Sequence, residues 1–218
     1  MIERHLQGLW LENPGLEDAG ATRERLKGRF PPGASRRMTR LGMLMGSVLG
    51  QIDLGEADTI VYASSFAETR ALEDYLASFP TPSPTLFQTS THPSAVQQTL
   101  ILRHQPVHHF LPLTGGPHLV AHAVQAALLA PTPRVILCGG EERGTWLREH
   151  GVASDRTFAF AVLLTMEPAG AIASLGVATD GAADGTLGTE DFFSALRERR
   201  DIRKPASPGL ILNLSWSR

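Results

Sequence analysis

The stretch Leu111–Glu141, LPLTGGPHLVAHAVQAALLAPTPRVILCGGE, decides the fold. It begins inside the apolar run His109–Leu113 (HFLPL) and breaks at Gly115-Gly116-Pro117. Apolar residues then recur at helical spacing through Leu119, Val120, Ala123 and Ala127, as far as Leu129. Pro131 and Pro133 end that helix, and the β-branched run Arg134–Cys138 (RVILC) reads as a second buried strand closed by Gly139-Gly140.

The same alternation extends in both directions. Thr59–Ala63 (TIVYA) and Phe158–Thr165 (FAFAVLLT) read as buried strands, with Leu6–Leu11, Ala171–Ala178 and Leu210–Ser215 (LILNLS) as further ones. Helical patterns fall between them at Ser35–Gly50, Glu68–Leu76, Ser94–Arg103 and Pro117–Leu129. In the first of these Met38, Leu41, Leu44, Met45, Val48 and Leu49 form one stripe. Pro80, Pro82 and Pro84 interrupt the chain after one helix, and Gly181–Gly188 reads as a flexible loop before a last helix, Thr189–Arg200. Near-continuous apolar strands alternating with helices predict an α/β fold with a mostly parallel central sheet and helices on both faces. No repeat or long linker divides the chain, so residues 1–218 read as a single domain.

Bulk properties narrow the function classes. With 218 residues the chain can bury roughly 70% of its unfolded surface. Apolar residues make up 42% and charged residues 19%, a globular profile, and a formal charge of −2 gives no push toward nucleic acid or anionic membrane. Cys138 is the only cysteine, which excludes an internal disulfide and a multi-cysteine metal site. Met1–Trp10 carries Glu3, Arg4 and His5 in place of a signal peptide's apolar core, and no apolar stretch approaches the ~20 residues of a membrane span. A cytoplasmic location is expected.

Three stretches in order resemble the N-terminal half of β-ketoacyl synthases, in particular the divergent ketosynthase-like and chain-length-factor-like proteins of aryl polyene type gene clusters. Ser35–Gly42 (SRRMTRLG) resembles the helix opening before that fold's second strand. Val61–Leu76 followed by Ser83–Gln98 (SPTLFQTSTHPSAVQQ) is similar to its "SP…F…S.H…A" region. Leu111–Glu141 looks like its nucleophile strand, elbow, buried helix and Gly-Gly-ending strand. The resemblance spans Ser35 to Pro168 and implies half of a thiolase-like fold.

It also implies a lost nucleophile. The family's cysteine position falls on Gly115, which has nothing to ionise, although Thr114-Gly115-Gly116-Pro117 keeps glycines for unusual backbone angles and proline at a first helical position. The family's two catalytic histidines lie in a second half of similar size, which the resemblance does not reach. The expectation is therefore a non-catalytic partner. The strand matching His109–Leu113 pairs across a two-fold axis in the family, so His109, Phe110, Leu111 and Leu113, flanked by Val96, Leu100 and Ile101, are expected at a dimer contact. The second copy would be the chain itself or a full-length ketosynthase.

Thr114 or Ser90 could act as a hydroxyl nucleophile with His92 or His118 as base, giving a small acyltransferase or hydrolase. A module that only binds an acyl carrier or acyl chain is a further alternative. Cys138 sits where a small buried hydrophobe belongs. His118 and His122 share a helix face at i, i+4 but lack a third zinc ligand, and Gly139-Gly140-Glu141 has neither the spacing nor the lysine of a phosphate loop. No cofactor and no metal is expected. Arg36, Arg37 and Arg40 could dock an acidic carrier protein, and the second basic group, Arg197 to Lys204, reads as a solvated helix end.

Overall fold

The computed structural model describes residues 2–217. Eight strands, β1 Ile2–Glu12, β2 Thr59–Ser64, β3 His109–Thr114, β4 Arg134–Glu141, β5 Phe158–Thr165, β6 Ala173–Thr179, β7 Ile202–Ser207 and β8 Leu210–Trp216, join in one sheet. Their order is β3-β2-β4-β5-β1-β6-β8-β7. Seven α-helices connect or cover them: α1 Ala19–Leu26, α2 Arg40–Leu49, α3 Thr69–Ala77, α4 Pro84–Thr89, α5 Ser94–Leu102, α6 Leu119–Leu129 and α7 Thr189–Glu198.

The mostly parallel sheet expected from the apolar runs is corrected to a mixed one. β2 runs parallel to β3 and β4, whereas β4–β5, β5–β1, β1–β6, β6–β8 and β8–β7 are antiparallel. The reason is that a continuous apolar run reports burial on both faces and carries no information about direction. FAFAVLLT is covered on both sides: Phe158, Phe160, Val162 and Leu164 face one core, and Ala159 and Ala161 the other. β4 divides in the same way, with Val135 and Leu137 on the first side and Ile136 and Cys138 on the second. Helices lie on both faces, as expected.

The first core is organised by α6. Its sequence, LVAHAVQAALL, has almost no polar face, and Leu119, Val120, Ala121, Ala123, Val124, Ala127 and Leu128 are all buried. Such a helix leaves only the stripe His122, Gln125, Ala126 and Leu129 open and needs cover on the rest of its circumference. The sheet curls to supply it, so that α6 touches β2, β3 and β4 from one end of the strand order and β6 and β7 from the other. Phe158 stacks on Phe193 of α7 with ring centroids 4.3 Å apart, closing the same core. Burial of each leucine or phenylalanine here contributes about 1.5–3 kcal/mol. The second core packs α2 and α5 on the opposite face, around Met43, Leu44, Val48, Ile60, Tyr62 and Val96.

Several boundaries shift. Gly139 and Gly140 lie within β4 and do not end it. A Cβ at Gly139 would meet the Ala63 carbonyl oxygen at 2.5 Å and the Phe160 ring at 2.7 Å, so only glycine allows this close approach. β7, absent from the sequence reading, carries Arg203, Lys204 and Pro205, which suit an edge strand and not a buried one. The helix α4 starts at Pro84 with the Ser83 hydroxyl accepting from the Leu86 N–H, so that proline opens a helix where it was read as a break.

One side chain secures the far end of α6. The buried Arg4 guanidinium donates to the carbonyl oxygens of Ala130 (2.6 Å), Thr132 (2.9 Å), Pro133 (3.2 Å) and Leu128 (3.4 Å). Leu128 and Ala130 are among the carbonyls the helix terminus leaves without intrahelical partners, and Thr132 and Pro133 belong to the loop that leads into β4. Arg4→Ala should lower unfolding free energy by about 3 kcal/mol, since it orphans several buried acceptors. Glu3→Ala, on the exposed face of the same strand, should stay within about 0.5 kcal/mol. Denaturant midpoints measured on both variants check this.

Candidate functional site

The elbow between β3 and α6 has the geometry the sequence suggests. Gly115 (φ +73°) and Gly116 (φ +80°) are left-handed, and a Cβ at either would meet nothing within 4 Å. The Gly115 N–H donates to the Ser64 carbonyl at the end of β2, 3.3 Å away. α6 then opens at Leu119 without a side-chain cap. The turn thus presents a helix N-terminus behind an open position that holds no side chain, at the ends of the three parallel strands.

Those ends are tied together by two consecutive glutamates pointing to opposite faces. Glu141 accepts from the Ser65 N–H (2.5 Å), the Ser64 hydroxyl (3.1 Å) and the Phe66 N–H (3.2 Å), fixing the turn after β2. Glu142 accepts from the Leu41 N–H at the start of α2 (3.2 Å). Burial pushes both carboxyls up to about 7, against the hydrogen bonds that favour ionisation.

The other sequence candidates are dispersed. The Ser90 hydroxyl donates to the Phe87 carbonyl at 2.8 Å, inside its own helix end. His92 Nδ1 lies 3.0 Å from Glu68, whose second oxygen accepts from the Ala95 N–H at 3.0 Å. The His92 ring stacks on Tyr62 at 5.0 Å, and its Nε2 is buried with no partner. His118 and His122 rings are 6.4 Å apart, edge to face. Among the described residues, no hydrogen bond joins Thr114 or Ser90 to a histidine, and no group of three His, Cys, Asp or Glu side chains could hold a metal ion. Cys138 is fully buried, and burial pushes its thiol far above the ordinary range.

β3 is the free edge of the sheet, bonded only to β2. Leu111 is 41% exposed and Ile101, on the neighbouring α5, 71%. Val96 and Leu100, expected beside Ile101 at a seam, are corrected: both are buried against α2 in the second core, because α5 turns that face inward. Since Gly115 points its N–H at β2, strand alternation turns the backbone of Phe110, Pro112 and Thr114 to the open side. Pro112 offers no donor there, leaving the N–H groups of Phe110 and Thr114.

A second locus was only half visible in the sequence. Arg36, Arg37 and Arg40 line a cleft of about 450 Å³ together with Arg23, Arg70, Arg143, Asp74 and Glu142. Arg23 belongs to α1, Arg70 to α3 and Arg143 to the turn after β4, so nothing in the linear sequence links them. By contrast, the void inside the first core, between α6 and Phe192, measures only about 10 Å³.

No family model matches the chain, and no curated protein sequence matches it. Solved structures do. A chain of the complex of the ketosynthase ApeO with its chain length factor ApeC, from Xenorhabdus doucetiae, superposes with a TM-score of 0.69 at 18% identity, covering 99% of this chain and all of that one. The ketosynthase AntDE in complex with AntF, its type II polyketide synthase acyl-carrier protein, gives 0.60 at 11% identity, with 100% and 99% covered. The ishigamide ketosynthase/chain length factor gives 0.57 at 13%, with 83% and 68% covered. The chain has the ketosynthase-like, thiolase-type fold. No helix among the described residues is long and apolar enough to cross a membrane.

Two outcomes follow. Both glutamates have folded pKa values raised above the unfolded value of about 4.3, so their contribution is fully present below that value and is lost as pH rises through about 7. Unfolding free energy should therefore fall between about pH 4.3 and pH 7 and level off above, and Glu141→Gln should flatten the fall. In native protein Cys138 should react with a thiol reagent only on unfolding, whereas the thiol of Gly115→Cys should react at once, at a stability cost of about 1–2 kcal/mol for its left-handed backbone. Label counting by mass spectrometry separates the two cysteines.

Proposed function

We propose that this chain is a non-catalytic, ketosynthase-like partner of the chain-length-factor type, serving a polyketide or fatty-acid-like pathway such as aryl polyene synthesis. The observation that carries the reading is the elbow. It keeps the left-handed backbone and the helix N-terminus of a nucleophile turn, with glycine where a reacting side chain would stand. Such a turn preserves the shape of the region while offering no thiolate to acylate. The ApeO–ApeC complex supports it, because the matched chain is covered from end to end by one of this length.

Assembly is part of the same reading. β3 presents open backbone groups and exposed Leu111, and a partner strand laid there would satisfy those groups and remove apolar surface worth about 25 cal/mol per Å². The partner is a second copy or, on the likeness to a ketosynthase–chain length factor pair, a full-length ketosynthase in the cytoplasm. Arg36, Arg37 and Arg40 serve in this reading as the face toward an acidic carrier protein. The acyltransferase alternative would need Thr114 or Ser90 beside a base. A module sequestering an acyl chain would need more room than the void against α6 provides.

Purified alone, the protein should neither decarboxylate malonyl-carrier nor condense acyl groups, and Gly115→Cys should not condense either. Sedimentation should show a dimer, alone or with a co-expressed ketosynthase. Leu111→Glu should dissociate or unfold it, while Glu198→Lys should do neither. Turnover by the wild-type chain that is lost on Thr114→Ala would replace this reading with the enzyme. A folded monomer that captures no ketosynthase would remove the assembly.

A further inference from the structure

The arginine-lined cleft holds more cations than the carrier-facing role of Arg36, Arg37 and Arg40 uses. The chain as a whole carries a formal charge of −2, from 20 basic and 22 acidic residues. Yet the cleft gathers Arg23, Arg36, Arg37, Arg40, Arg70 and Arg143 against only Asp74 and Glu142. So steep a local excess on a net acidic chain is a focused positive field, and it lies in a concavity.

The pairing of these side chains sharpens the point. Arg70 is occupied by Asp74 (2.6 Å) and approaches the buried Glu73 (3.6 Å). Arg40 is held in place by the Thr22 hydroxyl (3.0 Å) and the Glu17 carbonyl oxygen, and it also acts on the carboxylates of Glu17 and Glu142. Arg23, Arg36, Arg37 and Arg143 make no ion pair among the described residues. Guanidinium groups left without carboxylates, lining one cleft from α1, the turn before α2 and the turn after β4, are suited to an oxyanion ligand. Met38, Met43, Ala71 and Leu86 supply apolar wall, and about 450 Å³ is room for a small organic molecule and not merely an ion.

We propose that this cleft binds a phosphoryl group carried by a small molecule, with Arg36, Arg37, Arg23 and Arg143 as the anion-holding side chains. The proposal is independent of the pairing of β3 with a partner. Glu142, in the wall, is the regulator of the site. It faces Arg40 and the Leu41 N–H of α2, Arg70 and Asp74 of α3, and the adjacent Arg143. When Glu142 is ionised it repels the ligand; when it is neutral the full field of the arginines acts on the phosphoryl group. Affinity for a given charge state of ligand therefore rises as pH falls through about 7.

The test is calorimetric titration of the intact protein with inorganic pyrophosphate and with ADP, which share the phosphoryl group and differ in the organic body. Both should bind, ADP more tightly because of the apolar wall, with affinity falling steeply as salt is raised. Arg36→Ala/Arg37→Ala should weaken both by at least about tenfold, while Arg203→Ala, at the opposite end of the sheet, should leave them unchanged. Glu142→Gln should bind more tightly than wild type at pH 8 and equally at pH 6, a comparison in which the ligand's own titration cancels. Absence of binding at millimolar ligand, or binding indifferent to the arginine substitutions, would overturn the proposal. A carrier protein that binds through Arg36 and Arg37 while neither free anion does would also overturn it and leave protein docking in its place. Equal pH dependence in wild type and Glu142→Gln would remove the role given to Glu142.

Discussion

Much of this molecule is arranged around a helix that shows water only one narrow face, His122, Gln125, Ala126 and Leu129. α6 carries alanine, valine and leucine on nearly its whole circumference, and no single flat sheet can cover such a rod. Two groups of strands far apart in the chain solve the problem together. β2, β3 and β4 lie along one side, while β6 and β7 come round to the other, with β5 and β1 bridging them. The curl of the sheet is thus a consequence of α6, and so is the position of the elbow. Arg4 fixes the C-terminal end of the helix to β1, and the Gly115 N–H fixes the loop at its other end to β2.

The adjoining glutamates add a second layer to this constraint. Because successive residues of a strand point to opposite faces, Glu141 reaches the turn after β2 and Glu142 reaches the start of α2. One dipeptide therefore registers both faces of the sheet at the end where the parallel strands finish. Neither carboxyl is comfortable there, and each is raised to about 7 by burial. Such discomfort is tolerated where position matters more than stability.

The sequence revealed these features unevenly, for physical reasons. Phe158–Thr165 is legible to the residue because both faces of β5 are buried and its run is apolar up to Thr165. β7 was illegible because an edge strand with Arg203, Lys204 and Pro205 has the composition of a loop. The helix α1 was missed because only Thr22 and Leu26 of its eight residues are buried, so it has no stripe to detect. Gly115 was legible as a site because the glycine pair interrupts two strong patterns. The arginine cleft was half legible: Arg36, Arg37 and Arg40 are neighbours in sequence, whereas Arg23, Arg70 and Arg143 join them only through tertiary folding. Val96 and Leu100 face inward where the sequence suggests a seam, because periodicity shows that a helix has an apolar face without showing which neighbour takes it.

The two ends of the sheet differ in a way that bears on how large an assembly this chain can build. β7 closes one end with two exposed cations, a proline and an irregular register against β8. β3 closes the other with exposed leucine and a single missing donor at Pro112. A subunit that can accept a neighbouring strand at both ends polymerises; one that can accept it at a single end has a valence of one. In the assembly proposed for β3, growth would stop as soon as two bodies have met, whatever their concentration, so the asymmetry disfavours a filament.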